Sequence, residues 1–223
     1  MFSKKWEKTY KENKQISVWP WSDLITLVSR YVLNKTKINN VLEVGSGAGA
    51  NIKFFYEKKI DYYGIEGSKS AIKIIIERFP KLKKNIFLGN FSKKIPFKKK
   101  FDLIIDRGSL THVDHIHLEN TLTNIKKSLK KNGYLICVDW FSKKDSAWKI
   151  KSSNKKNYTN KNIKKGDLKN VGVTHFSSFE NIKKLTKKWK LIYCEEKMKK
   201  VILPKNKEIR ASFSFVLKNE KNN

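Results

Sequence analysis

Short apolar runs alternate along the chain with longer stretches in which apolar residues recur at helical spacing. Runs of β-branched residues and leucine that stop at glycine or polar residues are typical of buried strands. Stretches that begin at a capping residue, such as Ser68, are typical of helices. We predict strands over 40–44, 62–65, 85–88, 101–105, 134–138, 191–194 and 211–217, and helices over 23–33, 51–59, 69–79, 118–129 and 178–188.

This alternation predicts an α/β fold of βαβ units, in which a mainly parallel sheet carries helices on both faces. The length of 223 residues suits one domain, 1–223. Two regions depart from the alternation: an N-terminal helical cover over 1–36, and an insert over 142–172 that is rich in lysine and asparagine. The insert follows the fifth strand, on the side where such sheets bind ligands. We expect it to be a lid near the active site or, equally, a solvated excursion.

The formal net charge of +30 suggests a nucleic-acid binder. However, only four of the 50 basic residues are arginine, and bidentate recognition of phosphates and guanines favours arginine. The lysines are spread evenly along the chain, which favours a general enrichment of the surface in lysine over a nucleic-acid-binding groove. Cys137 and Cys194 are predicted to be reduced. With no run of 18 apolar residues and no secretory signal at the N-terminus, we expect a cytoplasmic protein without a membrane span.

A glycine loop is the strongest chemical feature of the sequence. The predicted strand 40–44 runs into Gly45, Gly47 and Gly49, and a helix follows. Glycines let a ligand approach the main chain, and the helix N-terminus offers free N–H groups. Glu66 follows the second strand, 19 residues after Gly47, where a carboxylate can accept hydrogen bonds from both hydroxyls of a ribose. The pattern predicts a nucleotide-type site, and a dinucleotide would also suit the loop.

Glu43 discriminates between a dinucleotide and a cationic nucleoside ligand. It lies two residues before the first glycine, inside an otherwise apolar strand. A buried carboxylate is costly unless it is paired. A pyrophosphate would make a nearby anion less favourable, whereas the positive sulfonium and ammonium groups of S-adenosylmethionine would make it more favourable.

On these motifs the sequence resembles the class I S-adenosylmethionine-dependent methyltransferases of small-molecule type, a bacterial methyltransferase-domain family. The segment from Glu43 to Gly49 matches the family's first motif, and 101–114 matches the fourth strand with the segment after it. The turn at 129–135 matches a Leu-Lys-Pro-Gly-Gly turn, with Lys131 and Asn132 replacing its proline and first glycine. Segments 17–23 and 173–177 also resemble a bacterial subgroup of such enzymes.

The resemblance implies a Rossmann-like fold with a seven-stranded, mostly parallel sheet whose last strand is antiparallel. It implies binding of S-adenosylmethionine and release of S-adenosylhomocysteine. Asn90 stands where the family usually has aspartate, and its side-chain oxygen can still accept from the adenine amino group. The cofactor-binding residues implied are Glu43, Gly45, Ser46, Gly47, Gly49, Glu66, Gly67, Ser68, Asn90, Phe91, Asp106 and Arg107.

The catalytic candidates follow the fourth strand. His112 is the predicted general base, because imidazole titrates near neutral pH, and a structural histidine is the alternative. Asp106 is expected to orient the cofactor or the acceptor, and Arg107 to pair either with an acidic substrate group or with a neighbouring carboxylate. His112, His115 and His117 do not converge at helical spacing, so we predict no metal site.

Aromatic residues near the N-terminus and one late histidine complete the candidates. Tyr10, Trp19 and Trp21 are candidates for an aromatic lid. We expect Trp19 at the site and Trp21 in ordinary packing. His175 is predicted either to reach the acceptor or to be a satisfied loop histidine.

The predicted function is methyl transfer to an oxygen or nitrogen of a small metabolite or sugar-like compound, anionic acceptors included. The sequence does not fix the oligomeric state. The alternatives are a nucleic-acid (RNA) methyltransferase or binder, an NAD-dependent oxidoreductase, and a non-catalytic binding module. Against the nucleic-acid alternative, the sequence lacks the Asn/Asp-Pro-Pro-Tyr/Phe motif that base-amino methyltransferases usually carry after the fourth strand. Residues 106–109 read Asp-Arg-Gly-Ser instead. Glu43 and the fourth-strand motif disfavour the oxidoreductase.

Overall fold

The computed structural model describes residues 4–14, 16–150, 155–156, 158–161, 163–166, 168–204 and 207–220. Ten strands lie in this part of the chain, and seven of them form one sheet. Their bounds are β1 Asn40–Val44, β2 Asp61–Glu66, β3 Ile86–Leu88, β4 Phe101–Arg107, β5 Leu129–Phe141, β9 Lys190–Lys200 and β10 Ile209–Lys218. The order of these strands across the sheet is β3-β2-β1-β4-β5-β10-β9. A small second sheet consists of β6 Lys155–Lys156, β7 Thr159–Asn160 and β8 Thr174–His175.

The large sheet confirms the predicted topology. Strands β1 to β5 pair in parallel. The last strand, β10, is antiparallel to both of its neighbours, β5 and β9. The strand order reverses between β1 and β4, and the carboxyl ends of these two strands are where a doubly wound sheet binds its ligand.

Helices cover both faces of the sheet, as predicted. They are α1 Lys4–Lys11, α2 Ser22–Val28, α3 Ile52–Glu57, α4 Lys69–Arg78, α5 His115–Ser128, α6 Ser146–Lys149 and α7 Phe179–Leu185. Helices α2, α3 and α4 bury their apolar residues against one face, and α5 and α7 against the other. The described part of the chain contains no helix with the length and apolarity needed to cross a membrane.

The predicted helix boundaries hold within a few residues. Ser68 caps α4, since its side chain accepts a hydrogen bond from the N–H of Ala71. Helix α5 begins at His115, three residues before the predicted start, and is capped by Asp114. The predicted helix 23–33 is α2, which ends at Val28 and continues as a wider π-helical turn to Leu33.

Two strands are longer than their apolar patterns. Strand β5 spans 13 residues, where only 134–138 were predicted, and β9 spans 11, where only 191–194 were predicted. The additional residues are mostly lysine, glutamate and asparagine. In β9 these residues pair with β10 through the main chain, which leaves no hydrophobic signal in the sequence. In β5, residues 130–133 fall in a register shift between the pairs Phe101–Leu129 and Leu103–Tyr134, so this part of the strand is irregular.

The 142–172 insert is partly built into the fold. Its described residues include α6, β6 and β7, and β7 pairs with β8. Ile163 is 1% exposed and packs with Ala147 and Phe176 in a third small apolar cluster. Residues 151–154, 157, 162 and 167 lie outside the described residues, as do 1–3 and 15 of the predicted N-terminal cover.

Candidate active site

The glycine loop leaves β1 at the carboxyl edge of the sheet. Gly45, Gly47 and Gly49 all have positive φ, at 71°, 53° and 78°. A Cβ atom at Gly45 would overlap the side chain of Ser109, which follows β4. The loop therefore packs directly against the neighbouring strand end, and only glycine provides both the backbone angle and the space.

Glu66 lies at the end of β2 with its carboxylate held against this loop. It is 5% exposed and accepts hydrogen bonds from the N–H groups of Gly47 (2.7 Å), Gly67 (2.7 Å) and Ser68 (2.8 Å). Burial raises the pKa of Glu66, and these three donors oppose the rise. The arrangement orients the carboxylate beside the glycine loop, where it is predicted to hold a ribose.

Glu43 is buried below the loop, and both of its oxygens have protein partners. Oε1 accepts from Asn51 Nδ2 at 2.7 Å, and Oε2 accepts from the Tyr62 hydroxyl. Burial raises the pKa of Glu43 to about 7, against the effect of these two donors. Asn51 in turn accepts from the N–H of Trp21 (3.1 Å). Glu43 thus connects β1 to the starts of α2 and α3, and its contact with a cofactor stays a prediction.

Asn90 and Phe91 follow β3 at the same edge. The Asn90 side-chain oxygen accepts from both the N–H (2.9 Å) and the hydroxyl (2.7 Å) of Ser92. An adenine amino group would therefore compete with the Ser92 hydroxyl for this oxygen. Phe91 packs against the core cluster, and its ring lies beside Gly45 in the glycine loop.

Asp106 and Arg107 end β4 with different surroundings. Asp106 is fully buried; its Oδ1 accepts from the N–H groups of Ser109 and Leu110, both at 3.0 Å. Its Oδ2 has no hydrogen-bond partner among the described residues. Burial raises the pKa of Asp106 to about 8, so this carboxyl is mostly protonated at neutral pH.

Arg107 forms an ion pair at the mouth of the site. Its Nη2 lies 2.6 Å from Asp139 Oδ2, and its guanidinium lies 3.4 Å from the centre of the Trp21 ring. The neighbouring-carboxylate alternative is therefore the observed one. Asp139 has a φ of 55° at a register shift where β5 pairs with β10, and bulges of this kind re-aim side chains. Asp139 directly follows the predicted strand 134–138, a position typical of site residues, but it is absent from the predicted candidates.

His112 lies in a short 3₁₀ turn, Leu110–His112, between two aromatic rings. Its ring centre is 5.5 Å from that of Trp6 and 6.0 Å from that of Phe141. Its Nδ1 is 2.9 Å from the carbonyl oxygen of Val173. A carbonyl can only accept, so Nδ1 carries the proton and Nε2 keeps its lone pair. Burial lowers the pKa of His112, which favours this neutral form.

Helix α1 lies within the predicted N-terminal helical cover, although the sequence predicted no helix at 4–11 itself, and it packs over the glycine loop. Glu7 accepts from the hydroxyls of Ser68 (2.7 Å) and Ser70 (2.6 Å) at the start of α4. These hydrogen bonds lower the pKa of Glu7. The contact therefore places a carboxylate at the N-terminus of α4, where the helix dipole favours negative charge.

The other side of α1 faces the site. A Cβ atom added at Gly47 would lie 2.7 Å from the Tyr10 hydroxyl. Burial, together with the negative charges of Glu66 and Glu43, raises the pKa of Tyr10. Trp6, on the same helix, contacts His112. Tyr10 and Trp6 therefore form a roof over the glycine loop and the predicted base.

The remaining candidates lie away from this roof. Trp19 is 66% exposed beside Lys53, against the expectation that it lies at the site. Trp21 packs against the core as expected, and its ring also stacks on Arg107. His175 is fully buried, with Nε2 near Ser177 and Asn181, and burial lowers its pKa to about 3. Only one ring nitrogen is satisfied, because Nδ1 is buried with no hydrogen-bond partner among the described residues. No described group of three His, Cys, Asp or Glu residues is arranged to hold a metal ion.

The structure brings the cofactor-binding candidates together at the carboxyl ends of β1 to β4. The Glu66 carboxylate lies against the N–H of Gly47, and the Tyr10 hydroxyl lies directly over Gly47. The acidic residues Glu43 and Glu66 suit a cationic ligand such as S-adenosylmethionine better than a pyrophosphate. The role of each individual residue stays a prediction.

The buried carboxyl of Asp106 makes the stability of the protein pH-dependent. Its folded pKa of about 8 lies above the unfolded value of about 3.9, so folding favours the protonated form. Stability is fully present near pH 4 and is lost as the pH rises toward 8, by an amount on the order of a few kcal/mol. We expect Asp106→Asn, which keeps Oδ1 as an acceptor but cannot ionise, to reduce this loss. Urea unfolding at pH 5 and pH 8.5 measures it.

Asp102 provides a control of opposite sign. Burial acts to raise its pKa, but hydrogen bonds from Lys130 and from the N–H groups of Asn39 and Asn40 outweigh it, and the pKa is lowered. Its stabilisation is therefore constant above about pH 5. Asp102→Asn should lower stability equally at both pH values, whereas a wild-type slope in Asp106→Asn would contradict the prediction for Asp106.

Comparison with known proteins shows the family of the chain. A family model described as a methyltransferase domain matches residues 18–189. The comparison with curated proteins gave no match.

Solved structures show the same fold at low identity. They include S-adenosylmethionine-dependent methyltransferases from Methanosarcina mazei (17% identity, TM-score 0.66, covering 86% of this chain and 98% of that one) and Clostridium acetobutylicum (15%, 0.64, 96% and 98%). A third is CalS10 of Micromonospora echinaspora with bound S-adenosylmethionine (12%, 0.57, 98% and 98%), described as an amino pentose methyltransferase. The chain belongs to the methyltransferase-domain family and is a class I S-adenosylmethionine-dependent methyltransferase.

Proposed function

We propose that this enzyme methylates an oxygen or nitrogen atom of a small-molecule acceptor, with His112 as the general base. The observation that carries the proposal is the enclosure of His112. Trp6 covers the ring from α1, Phe141 lies against it from β5, and the Val173 carbonyl fixes it from the segment after the insert. A site roofed in this way suits a small acceptor better than a folded polymer.

The chemistry divides between the cofactor and the chain. S-adenosylmethionine supplies an electrophilic methyl group on a positive sulfonium. Glu66 and the glycine loop hold the nucleoside half, which fixes the direction of attack, and such positioning supplies much of the acceleration. His112 Nε2 accepts the proton that the acceptor O–H or N–H loses as its new bond to carbon forms.

The mouth of the site suggests which acceptors to test. Arg107 and Asp139 present opposite charges there, with side chains 26% and 33% exposed. An acceptor with an anionic group would contact Arg107, and one with an amino group would contact Asp139. The description of CalS10 as an amino pentose methyltransferase supports including amino sugars among the candidates.

Binding and turnover test the proposal in two steps. Titration calorimetry should detect S-adenosylhomocysteine, and Glu66→Ala should weaken its binding about 10- to 100-fold, because a charge-assisted pair of ribose contacts is lost. Glu57→Ala, at a 64%-exposed residue of α3, is the matched control. Unchanged affinity in Glu66→Ala would mean that the ribose lies elsewhere.

The acceptor is then sought by S-adenosylhomocysteine formation. The panel contains amino sugars, small amines, phenols, sugar phosphates and unmodified RNA. The proposal predicts turnover with a small molecule. Turnover with RNA alone would overturn it in favour of the nucleic-acid alternative.

A further inference from the structure

The hairpin of β9 and β10 projects beyond the rest of the large sheet. The pair Ser212–Phe141 is the last one that joins β10 to β5, yet β10 and β9 remain paired as far as Ile209 and Lys200. Three further residue pairs extend the hairpin past this last pair, and there β10 lies beside residues 142–146, since the N–H of Ser142 donates to the carbonyl of Ala211 (2.9 Å). The connection after Lys200 lies beyond these contacts. We refer to residues 197–204, at the end of β9 and in the connection that follows it, as the hairpin tip.

The tip exposes consecutive aliphatic side chains. Val201, Ile202 and Leu203 are 46%, 69% and 84% exposed, and Met198 is 61% exposed. In the part of the chain that the structure describes, no other three consecutive large apolar residues are exposed. Single exposed apolar residues are ordinary on protein surfaces, but a contiguous apolar group at a projecting turn indicates a binding surface.

Positive charge surrounds this apolar group. The sequence from 197 to 207 contains five lysines and no acidic residue, although Glu196 and Glu208 border it and Lys197 pairs with Glu195 (2.9 Å). Lys197, Lys199 and Lys200 lie on exposed positions of β9 directly before the aliphatic run, and Lys207 is exposed after it. Aliphatic side chains bordered by lysine suit a surface with an apolar interior and an anionic boundary, and an anionic lipid bilayer has both.

The direction of the tip relates it to the active site. Because β10 is antiparallel to β5, its first residue, Ile209, lies at the carboxyl end of β5. The glycine loop and His112 lie at this same edge of the sheet. The base of the hairpin is also fixed there, since Asp145 Oδ2 accepts from the N–H of Ala211 (3.0 Å) and Ser146 Oγ accepts from the N–H of Ile209 (2.8 Å).

We propose that the hairpin tip docks this enzyme on anionic membrane surfaces, with Ile202 and Leu203 inserted at the lipid boundary and the neighbouring lysines on the headgroups. A second copy of the chain is disfavoured as the occupant, because joining two tips would bring their lysines together. The docked tip turns the carboxyl edge of the sheet, and with it the acceptor site, toward the membrane. This inference does not depend on which acceptor the site takes.

Vesicle sedimentation of the full chain tests the proposal. The probes are vesicles of phosphatidylcholine alone and of phosphatidylcholine with 30% phosphatidylglycerol. We expect binding to the second kind, weakened by salt. The double variant Ile202→Ser/Leu203→Ser should bind those vesicles about tenfold less at unchanged charge, because two inserted aliphatic groups are lost. Ile116→Ser is the matched control for the single variant Ile202→Ser, since Ile116 is 70% exposed on α5.

Three outcomes would overturn the proposal. The first is no binding to anionic vesicles at low salt. The second is equal binding by the tip variant and the wild type, which would indicate adsorption through lysines alone. The third is that Ile116→Ser weakens vesicle binding as much as Ile202→Ser does, which would indicate a general effect of losing any exposed apolar side chain. Because calorimetry with S-adenosylhomocysteine reports the cofactor site separately, failure here leaves the proposed reaction untouched.

Discussion

Gly45→Ala should destabilise this methyltransferase by about 1–3 kcal/mol more than Gly108→Ala. Both glycines have a φ of 71°, so both substitutions incur the same left-handed backbone cost of about 1–2 kcal/mol. They differ in the space available to the new methyl group. At Gly108 its nearest neighbour is 3.7 Å away, whereas at Gly45 it would overlap Ser109.

Urea unfolding of the two variants measures this difference. The loop should also move away from Ser109 in Gly45→Ala, so its affinity for S-adenosylhomocysteine should fall, whereas Glu66 and its donors keep their positions in Gly108→Ala. The double variant Gly45→Ala/Ser109→Gly removes the overlap and should recover stability to about the level of Gly108→Ala. Equal losses in the two single variants would show that backbone strain alone requires glycine at position 45.

The parts of the site that sequence alone could predict are those built by local rules. Gly45 and Glu66 each directly follow a buried strand, and parallel strands bring their carboxyl ends to one edge. The cap at Ser68 is likewise a local feature, because its side chain bonds to the N–H of Ala71 three residues on. For these residues spacing along the chain determined position in space.

The roof and the mouth of the site depend instead on contacts between distant residues. Helix α1 has no fully buried residue, and its apolar face consists only of Trp6 and Tyr10, four residues apart. It is held by Glu7, which accepts from serines 61 and 63 residues away. Asp139 reaches Arg107 only because a register shift against β10 turns it outward. The fixed tautomer of His112 likewise depends on the carbonyl of Val173, 61 residues later.

Loss of the His112 ring should affect turnover far more than cofactor binding. With an acceptor found in the panel, we expect His112→Ala to lower kcat about 10²- to 10⁴-fold, the usual contribution of a positioned base. Affinity for S-adenosylhomocysteine should stay near that of the wild type, because Glu66 and the glycine loop are separate from the ring. His117→Ala, an exposed residue of α5 two positions into the helix, is the control and should keep full activity.

The pH profile distinguishes a base from a structural histidine. Burial lowers the pKa of His112, so Nε2 stays unprotonated to a lower pH than an exposed imidazole would. Wild-type kcat should therefore hold steady through neutral pH and fall only below the ordinary histidine range, and the acid limb should be absent in His112→Ala. If kcat fell in the variant while the acid limb remained, the ring would act by packing between Trp6 and Phe141. The proton would then leave the acceptor by another route.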